Sequence, residues 1–412
     1  MSVNRAELRS VPAVTRRDKV ILVGLVFLLW GLLSFTYHAV FVSPDGNYDF
    51  YPRWYGSRAM LEGRNPYDID MKTENVAGTD YEAYHLKHQE LHFLYPATIT
   101  YILLPFWGFP FPVAVSLWSG LQLLLLLTLP LVAFYLRGWT LKPLIVVLVV
   151  VFSALLYSYA VITFVLGHFV IFILGCLVIA WWQIDANHPW LAALALVGAT
   201  IRPEGMIFVA AILLEVLLTR RYKIIVIWAG LMAGVFLISV AQIGFWIGDF
   251  LHGIRFYRDT VTDTAFPLDV LGVRSLETLI MLGVVVWGVW LLWQLRVIPA
   301  RERFPLRLSV FILVILLAVR QSKDYTYVYA LLPMWVLLTT SRPYSWNTAL
   351  VLVLLGMTRA IQTITSTPLQ PADDQPVAVL QVTQLVMLFS MLGLVTYHWL
   401  HDRLQTYTEQ AI

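Results

Sequence analysis

The stretch VILVGLVFLLWGLLSFTYHAVFV, from Val20 to Val42, decides the fold of this chain. It is apolar for long enough to cross a bilayer, which takes about 20 such residues in a helix. Further apolar runs recur along the 412 residues, of which 59% are hydrophobic and 13% are charged. Soluble domains carry roughly 25% charged residues. The sequence therefore predicts an all-α, polytopic integral membrane protein.

Charge on either side of the first apolar run sets the predicted orientation. Arg16, Arg17 and Lys19 precede the run, whereas residues 43–92 after it contain nine acidic residues and five Lys or Arg. Positive residues favour the cytoplasmic side, so we expect cytoplasmic termini and an outer first loop. No small-residue cleavage site follows the run, which favours an uncleaved first helix. Counting apolar runs predicts about twelve transmembrane helices in a single domain, residues 1–412.

The first extracytoplasmic loop, residues 43–92, mixes apolar and polar residues in two stretches. Phe50–Glu62 and Tyr81–His92 predict two interfacial helices, which would lie along the membrane surface. Tyr95–Gly108 is short and contains proline, so we expect a tilted crossing or a re-entrant piece. Further polar breaks are expected on the same outer side, at Thr163–His168, Thr200–Glu204, Asp249–Gly272, Arg320–Asp324 and Arg359–Gln375.

Asp49 is the carboxylate best placed for chemistry. It follows the first apolar run and begins the segment Asp49-Phe50-Tyr51-Pro52-Arg53-Trp54-Tyr55. Aromatic neighbours on both sides predict partial desolvation at the membrane edge, which suits a general base. Asp45 lies in a Pro-Asp-Gly turn and is the second choice. Acidic residues in solvated loops are common, and such a role without chemistry stays open for both Asp45 and Asp49.

Six cations fall on the predicted outer side, against the positive-inside bias, namely Arg202, Arg255, Arg258, Arg320, Lys323 and Arg359. Charges at membrane depth are costly and are usually functional or paired. Arginine suits bidentate contact with phosphate. Snorkelling or pairing is the alternative for each of them. Arg202 is the best candidate because short apolar runs flank it on both sides, and Glu204 is placed to neutralise and orient it.

Several short motifs along the chain follow one family pattern. They are Asp49-Phe50, Leu61-Glu62-Gly63-Arg64-Asn65-Pro66-Tyr67-Asp68, Phe93-Leu94-Tyr95-Pro96, Leu104-Pro105, Gly167-His168 and Arg202-Pro203. The pattern resembles glycosyltransferase family 87, the polyprenol-phosphate-mannose-dependent mannosyltransferases of the GT-C class. The chain departs from it in having Ala97 for a second proline, His168 for a glutamine and Arg202 for a lysine. It also lacks a histidine expected near residues 320–325.

The resemblance implies a GT-C fold and transfer of a hexose, mannose first, from polyprenyl phosphate to a lipid-linked or glycan hydroxyl. The anomeric centre would be inverted, with Asp49 as general base. Donor phosphate binding would fall to Arg202, Arg320, Lys323 and His168, and substrate binding to Asp45, Arg53, His92 and Tyr95. The expected protein is a monomer without metal or other cofactor. It would sit among the lipids of the plasma membrane, with its active site outside.

The residues also allow a metal site and a transport function as alternatives. His85, His88 and His92 share a helical face with Glu82, but their spacing matches no strong zinc pattern, and we expect a substrate contact or an interfacial face instead. The net charge of +3 gives no basis for nucleic-acid binding. The alternative function is a lipid or solute transporter or flippase. The sequence has no visible internal repeat, which such proteins usually show.

Overall fold

The computed structural model describes residues 15–42, 49–69, 93–137, 143–260, 268, 273–298, 300–318, 324–340, 353 and 384–397. These residues form helices and connecting turns, with no β-strand among them. The helices are α1 (Arg16–Phe41), α2 (Phe50–Leu61), α3 (Ile99–Trp107), α4 (Phe111–Arg137), α5 (Pro143–Val151), α6 (Ser158–Val165), α7 (Val170–Asp185), α8 (Pro189–Ala199), α9 (Pro203–Leu218), α10 (Tyr222–Ile243), α11 (Ile247–Thr260), α12 (Arg274–Gln294), α13 (Ala300–Ala318), α14 (Leu331–Thr340) and α15 (Gln384–Tyr397).

Four helices, α1, α4, α10 and α12, are long and apolar enough to cross a membrane. Residues Pro143–Leu156, which comprise α5 and a π-helical turn, form with α6 a pair bent by 57° and give a fifth candidate. Large apolar side chains of α1 face outward, with Val20, Phe27 and Phe35 exposed by 66%, 60% and 72%. Water disfavours so large an apolar surface, whereas lipid accommodates it. The described residues thus fit a membrane protein, and the full count of twelve crossings stays a prediction.

The centre of the molecule is built on α4 and α7. Helix α4 packs against α1 on one side and α7 on the other, and α8 connects α7 to α10. The indole rings of Trp118 on α4 and Trp181 on α7 are fully buried. The thiol of Cys176 on α7 is also buried. This packing fixes the start of α7, which carries part of the candidate site.

The first loop helix is confirmed in part. Helix α2 covers Phe50–Leu61, one residue short of the predicted end, and eight of its twelve residues are buried. It therefore packs into the protein, chiefly against α3, rather than lying along a surface. Helix α3 has nine residues, so it is about 13 Å long and too short to cross a bilayer by itself. The second predicted helix, Tyr81–His92, lies outside the described residues.

The predicted helix breaks at Thr163–His168 and Thr200–Glu204 are confirmed, since α6 ends at Val165 and α9 begins at Pro203. The break predicted at Asp249–Gly272 is wrong in its first part, because α11 continues to Thr260. The polar residues there belong to an amphipathic helix. Its exposed side carries Asp249, His252 and Arg255, whereas Ile247, Phe250 and Ile254 are partly buried. Residues 320–323 and 359–375 lie outside the described ranges.

A buried ion pair fixes α9 against α13. Glu215 is 7% exposed, and its carboxylate pairs with Arg307 and, at 3.7 Å, with Arg303. A charge buried between helices is stable only while its partner is present. This contact holds the end of α9 opposite to Arg202, and so it constrains the helix that carries Arg202.

Candidate active site

Asp49 immediately precedes α2, in the N-cap position. Its carboxylate makes no capping hydrogen bond to the helix, although an aspartate at this position usually does. The side chain is 35% exposed, and Oδ2 lies 3.9 Å from Nε2 of His168. The carboxylate of Asp49 is therefore both accessible and turned toward a buried histidine.

A helix end of defined geometry presents His168. Helix α6 finishes in a Schellman motif, in which the amide of His168 donates to the carbonyl of Thr163 at 2.8 Å and the amide of Gly167 donates to Phe164 at 3.2 Å. Gly167 has φ +70°, the left-handed conformation that this motif requires. Trp118 donates from its indole to the carbonyl of Gly167 at 2.9 Å. The turn is thus held by its own backbone bonds and by α4.

Close packing at Gly167 brings the His168 turn against the start of α2. A Cβ built on Gly167 would lie 2.8 Å from the Cβ of Phe50, a separation that real side chains do not reach. Phe50 in turn stacks on Trp118, with ring centroids 5.6 Å apart. Because Phe50 follows Asp49 directly, this contact sets the distance between Asp49 and His168.

Arg202 is the third member of the cluster and occupies the N-cap position of α9, without a capping hydrogen bond from its side chain. Its backbone is extended, and Pro203 occupies the first helical position, where a proline needs no amide partner. The residue is 6% exposed. Its Nη1 lies 3.0 Å from Nδ1 and 2.9 Å from Nε2 of His168. Its Nη2 donates to Oε1 of Glu204 at 2.9 Å.

Gly205 allows this helix start to approach α8. A Cβ built there would lie 1.9 Å from the carbonyl oxygen of Ala199, so no larger residue fits without movement of the backbone. The two short helices α8 and α9 consequently meet in a tight break. The break directs Arg202 inward to His168.

The four side chains form a polar line in the order Asp49, His168, Arg202, Glu204. A neutral imidazole has one acceptor nitrogen, and a guanidinium group only donates. Nη1 of Arg202 lies close to both ring nitrogens, so either can accept from it. When Nδ1 accepts, the proton is on Nε2, the nitrogen 3.9 Å from Oδ2 of Asp49. In that tautomer the histidine connects the buried Arg202–Glu204 pair to the accessible carboxylate.

Three helix starts meet at this line. Asp49 precedes α2, His168 lies two residues before α7, and Arg202 occupies the N-cap position of α9. Each helix start carries partial positive charge from its unpaired amides and its dipole. Anions such as phosphate bind favourably at such positions. The cluster therefore combines an accessible carboxylate with surroundings that favour a negatively charged group.

Arg53 lies one turn after Asp49 on α2 and is 6% exposed. Its guanidinium carbon stands 4.5 Å from the ring centroid of Tyr95 and 5.8 Å from that of Phe169. Its Nη2 donates to the hydroxyl of Tyr95. Because Phe169 follows His168, these ring contacts bring Arg53 and Tyr95 to the same cluster.

The Asn65-Pro66-Tyr67 turn holds Tyr95 in position. Tyr67 donates from its hydroxyl to the carbonyl of Tyr95 at 2.6 Å and stacks on Trp246 with centroids 6.0 Å apart. Asn65 accepts from the amide of Tyr67 at 3.2 Å, which closes the turn. Burial raises the pKa of the Tyr67 phenol well above its usual value, so this donor stays protonated. The turn residues in the family-like motif thus have a structural role.

Five of the predicted site residues, Asp49, Arg53, Tyr95, His168 and Arg202, come together in this cluster. The other four, Asp45, His92, Arg320 and Lys323, lie outside the described residues. Sequence reasoning missed Phe169, whose ring meets Arg53; nothing in its apolar context distinguishes it from a packing residue. No group of three or more His, Cys, Asp or Glu suited to a metal occurs within the described ranges. His85 and His88 also lie outside them.

Comparison with known proteins adds no assignment. No family profile matches the chain, and no curated protein matches it. The function is therefore argued from the site itself and from the motif resemblance.

Proposed function

We propose that this protein is an integral membrane glycosyltransferase of the GT-C class. It transfers a hexose, with mannose as first choice, from a polyprenyl-phosphate sugar to a lipid-linked or glycan hydroxyl. The observation that carries this proposal is the accessible carboxylate of Asp49 beside the buried His168–Arg202–Glu204 line, where three helix starts meet. A base and an anion-binding environment are the two parts that this reaction needs.

In the proposed reaction, the carboxylate of Asp49 takes the proton of the acceptor hydroxyl. The acceptor oxygen forms a bond to the anomeric carbon while the bond from that carbon to the phosphate oxygen breaks. The leaving polyprenyl phosphate keeps the electron pair, and the configuration at the anomeric carbon inverts. His168 orients Asp49 by pointing its Nε2 proton toward the carboxylate. No cofactor takes part.

The oligomeric state, the number of crossings, the orientation and the membrane in this proposal rest on the sequence. The protein is a monomer of about twelve transmembrane helices in the plasma membrane, with cytoplasmic termini and an extracytoplasmic active site. The donor's prenyl chain stays in the bilayer while its headgroup enters between α2 and the starts of α7 and α9. Asp45, His92, Arg320 and Lys323 complete the substrate contacts in this proposal.

The test is a transfer assay with purified full-length protein in detergent. Radiolabelled polyprenyl-phosphate mannose is incubated with the protein and a lipid extract as acceptor source. The proposal expects label in a new lipid or glycan product, formed by wild type and not by heat-denatured protein. Absence of transfer from this donor and from the corresponding glucose donor would contradict it.

A transporter or flippase is the second candidate, and one observation favours it. Helix α6 is bent by 57° from the helical segment Pro143–Leu156 that precedes it, and α7 and α9 begin at the polar cluster. Transporters place the starts of broken helices around anionic substrates in this way. The two candidates separate in the same assay, because transfer in detergent needs no sealed compartment. Movement of a fluorescent polyprenyl phosphate across proteoliposomes without sugar transfer would favour the transporter.

A further inference from the structure

Arg53 is the buried cation whose donors are least satisfied near the site. The Nη2 group donates to Tyr95, whereas Nε and Nη1 are buried and have no hydrogen-bond partner among the residues that the structure describes. These two nitrogens carry three N–H bonds. The residue is 94% buried, since its exposed fraction is 6%. Three donors of a charged group are thus enclosed without an acceptor in the described part of the chain.

Arg303 and Arg307 also bury an Nε without a hydrogen-bond partner in the described residues, but unlike Arg53 both pair with a carboxylate, that of Glu215. Arg202 pairs with Glu204 at 2.9 Å, and Arg58 pairs with Glu62 at 3.2 Å. No carboxylate in the described part of the chain pairs with Arg53. Burial of an unpaired guanidinium is costly, and such groups in membrane proteins usually serve a ligand. Its aromatic contacts offset only part of that cost.

We propose that Arg53 binds the phosphate of a polyprenyl monophosphate through Nε and Nη1. The ligand supplies the missing negative charge and accepts the unused N–H bonds. This assignment rests on the proposed function and makes Arg53 the residue that binds the donor phosphate. Arg202 contacts His168 and Glu204 instead, and it holds these side chains in their positions. Tyr95 and Phe169 orient the guanidinium plane.

Placement relative to Asp49 supports the assignment. Four residues of α-helix separate the two positions, which is roughly 6 Å along the axis. The attacking and leaving oxygens lie on opposite sides of the anomeric carbon in an inverting displacement, so base and phosphate contact need such a separation. A sugar bound between Asp49 and Arg53 satisfies that geometry.

The experiment measures binding rather than transfer. Full-length wild type, Arg53→Met and Arg58→Met are placed in nanodiscs of neutral lipid, and a sugar-free polyprenyl monophosphate is added. Arg58 is a matched control, because it lies on the same helix but is exposed and paired with Glu62. We expect the probe to raise the unfolding temperature of wild type and Arg58→Met, and the affinity of Arg53→Met to fall at least about tenfold, the loss of one charge-assisted contact. Equal affinity of Arg53→Met and wild type overturns the proposal.

Two further arms identify the source of the phosphate. Inorganic phosphate alone, or phosphatidylglycerol, is added in place of the polyprenyl probe. Neither is expected to stabilise wild type to the same degree. An equal, Arg53-dependent effect of inorganic phosphate or of phosphatidylglycerol overturns the assignment to a polyprenyl monophosphate.

The unliganded variant separates a binding role from a structural one. Methionine removes an unpaired buried charge and keeps the apolar stem, so Arg53→Met without probe should unfold at the wild-type temperature or above it. A clear drop indicates a structural role and contradicts the proposal. If Arg53→Met does not accumulate, Arg53→Lys is used in its place. We expect Arg53→Lys to bind the probe measurably but more weakly than wild type. Binding as tight as that of wild type would contradict the proposal.

Failure of this inference is distinguishable from failure of the proposed function. If wild type transfers sugar and Arg53→Met binds the probe as well as wild type does, the glycosyltransferase proposal is supported and the phosphate-binding role of Arg53 is contradicted. If probe binding depends on Arg53 but wild type transfers no sugar, the phosphate site is supported and the transferase proposal is contradicted.

Discussion

Oδ2 of Asp49 lies 3.9 Å from Nε2 of His168, and this contact joins the first loop helix to the start of α7. The two residues belong to distant parts of the chain, and each is presented at a helix terminus rather than within a helix. His168 also contacts Arg202 at 2.9 Å. The contact therefore links an accessible carboxylate to a buried charged pair.

Replacement of His168 should separate its polar role from its packing role. His168→Phe leaves Arg202 Nη1 without this acceptor, and a buried group left unsatisfied costs about 1–3 kcal/mol. His168→Gln keeps an acceptor and should lose less. Chemical denaturation of the two variants in detergent measures the difference. Equal stability of the two variants would argue against the hydrogen-bond role of the imidazole.

Replacement of Gly167 tests the turn that presents His168. Gly167→Ala meets both a positive φ and the Cβ of Phe50 at 2.8 Å, whereas Gly63→Ala meets only a positive φ of +78° in open space. Left-handed backbone costs an L-residue about 1–2 kcal/mol. We therefore expect Gly63→Ala to lose that amount of folding stability and Gly167→Ala to lose more. The transfer rate of Gly167→Ala should also fall. Thermal unfolding and the transfer assay report the two effects.

Loss of the buried carboxylate on α9 should be the most destabilising of these changes. Glu215→Ala leaves Arg307 and Arg303, which are 13% and 23% exposed, without their shared partner. Breaking a buried pair costs about 3–5 kcal/mol. The control is Glu62→Ala, whose partners Arg58 and Arg64 are exposed by 46% and 41%. An exposed pair contributes about 0–1 kcal/mol, so a similar loss in both variants would contradict the buried role.

Tyr67 predicts a pH dependence at the alkaline end. Burial raises the pKa of its phenol in the folded state above the unfolded value of about 10, so the folded state retains the proton longer. This contribution to stability is complete below pH 10 and falls as the pH rises above it. Tyr67→Phe removes this titrating phenol, so the free energy of unfolding of the variant should decline less steeply above pH 10 than that of wild type. Denaturation curves between pH 8 and pH 11 provide the comparison.

Local signals made part of the site predictable. Both helix breaks were predicted from the polar residues between apolar runs, and the structure shows Gly167 and Pro203 as the helix-terminus residues at these breaks. Asp49 was identified because it begins a mixed aromatic segment after a long apolar run. Each of these inferences needed only a few neighbouring residues.

Other features depend on non-local packing and were not predictable. The burial of Arg53 between Tyr95 and Phe169 requires α2 and α7 to meet, which no sequence spacing indicates. The polar residues from Asp249 onward predict a break, whereas the chain there forms the amphipathic helix Ile247–Thr260. The meeting of three helix starts is likewise a property of the packed chain.

The transfer rate of Asp49→Asn tests the central claim most directly. Asparagine keeps the size of the side chain but cannot accept the proton, and general base catalysis contributes about 10²–10⁴-fold. The control is Asp68→Asn, a first-loop acid whose carboxylate accepts from Asn65 at 2.8 Å. We expect Asp49→Asn to remain folded and to lose transfer by about that factor, while Asp68→Asn keeps the wild-type rate. A wild-type rate in folded Asp49→Asn would contradict the account.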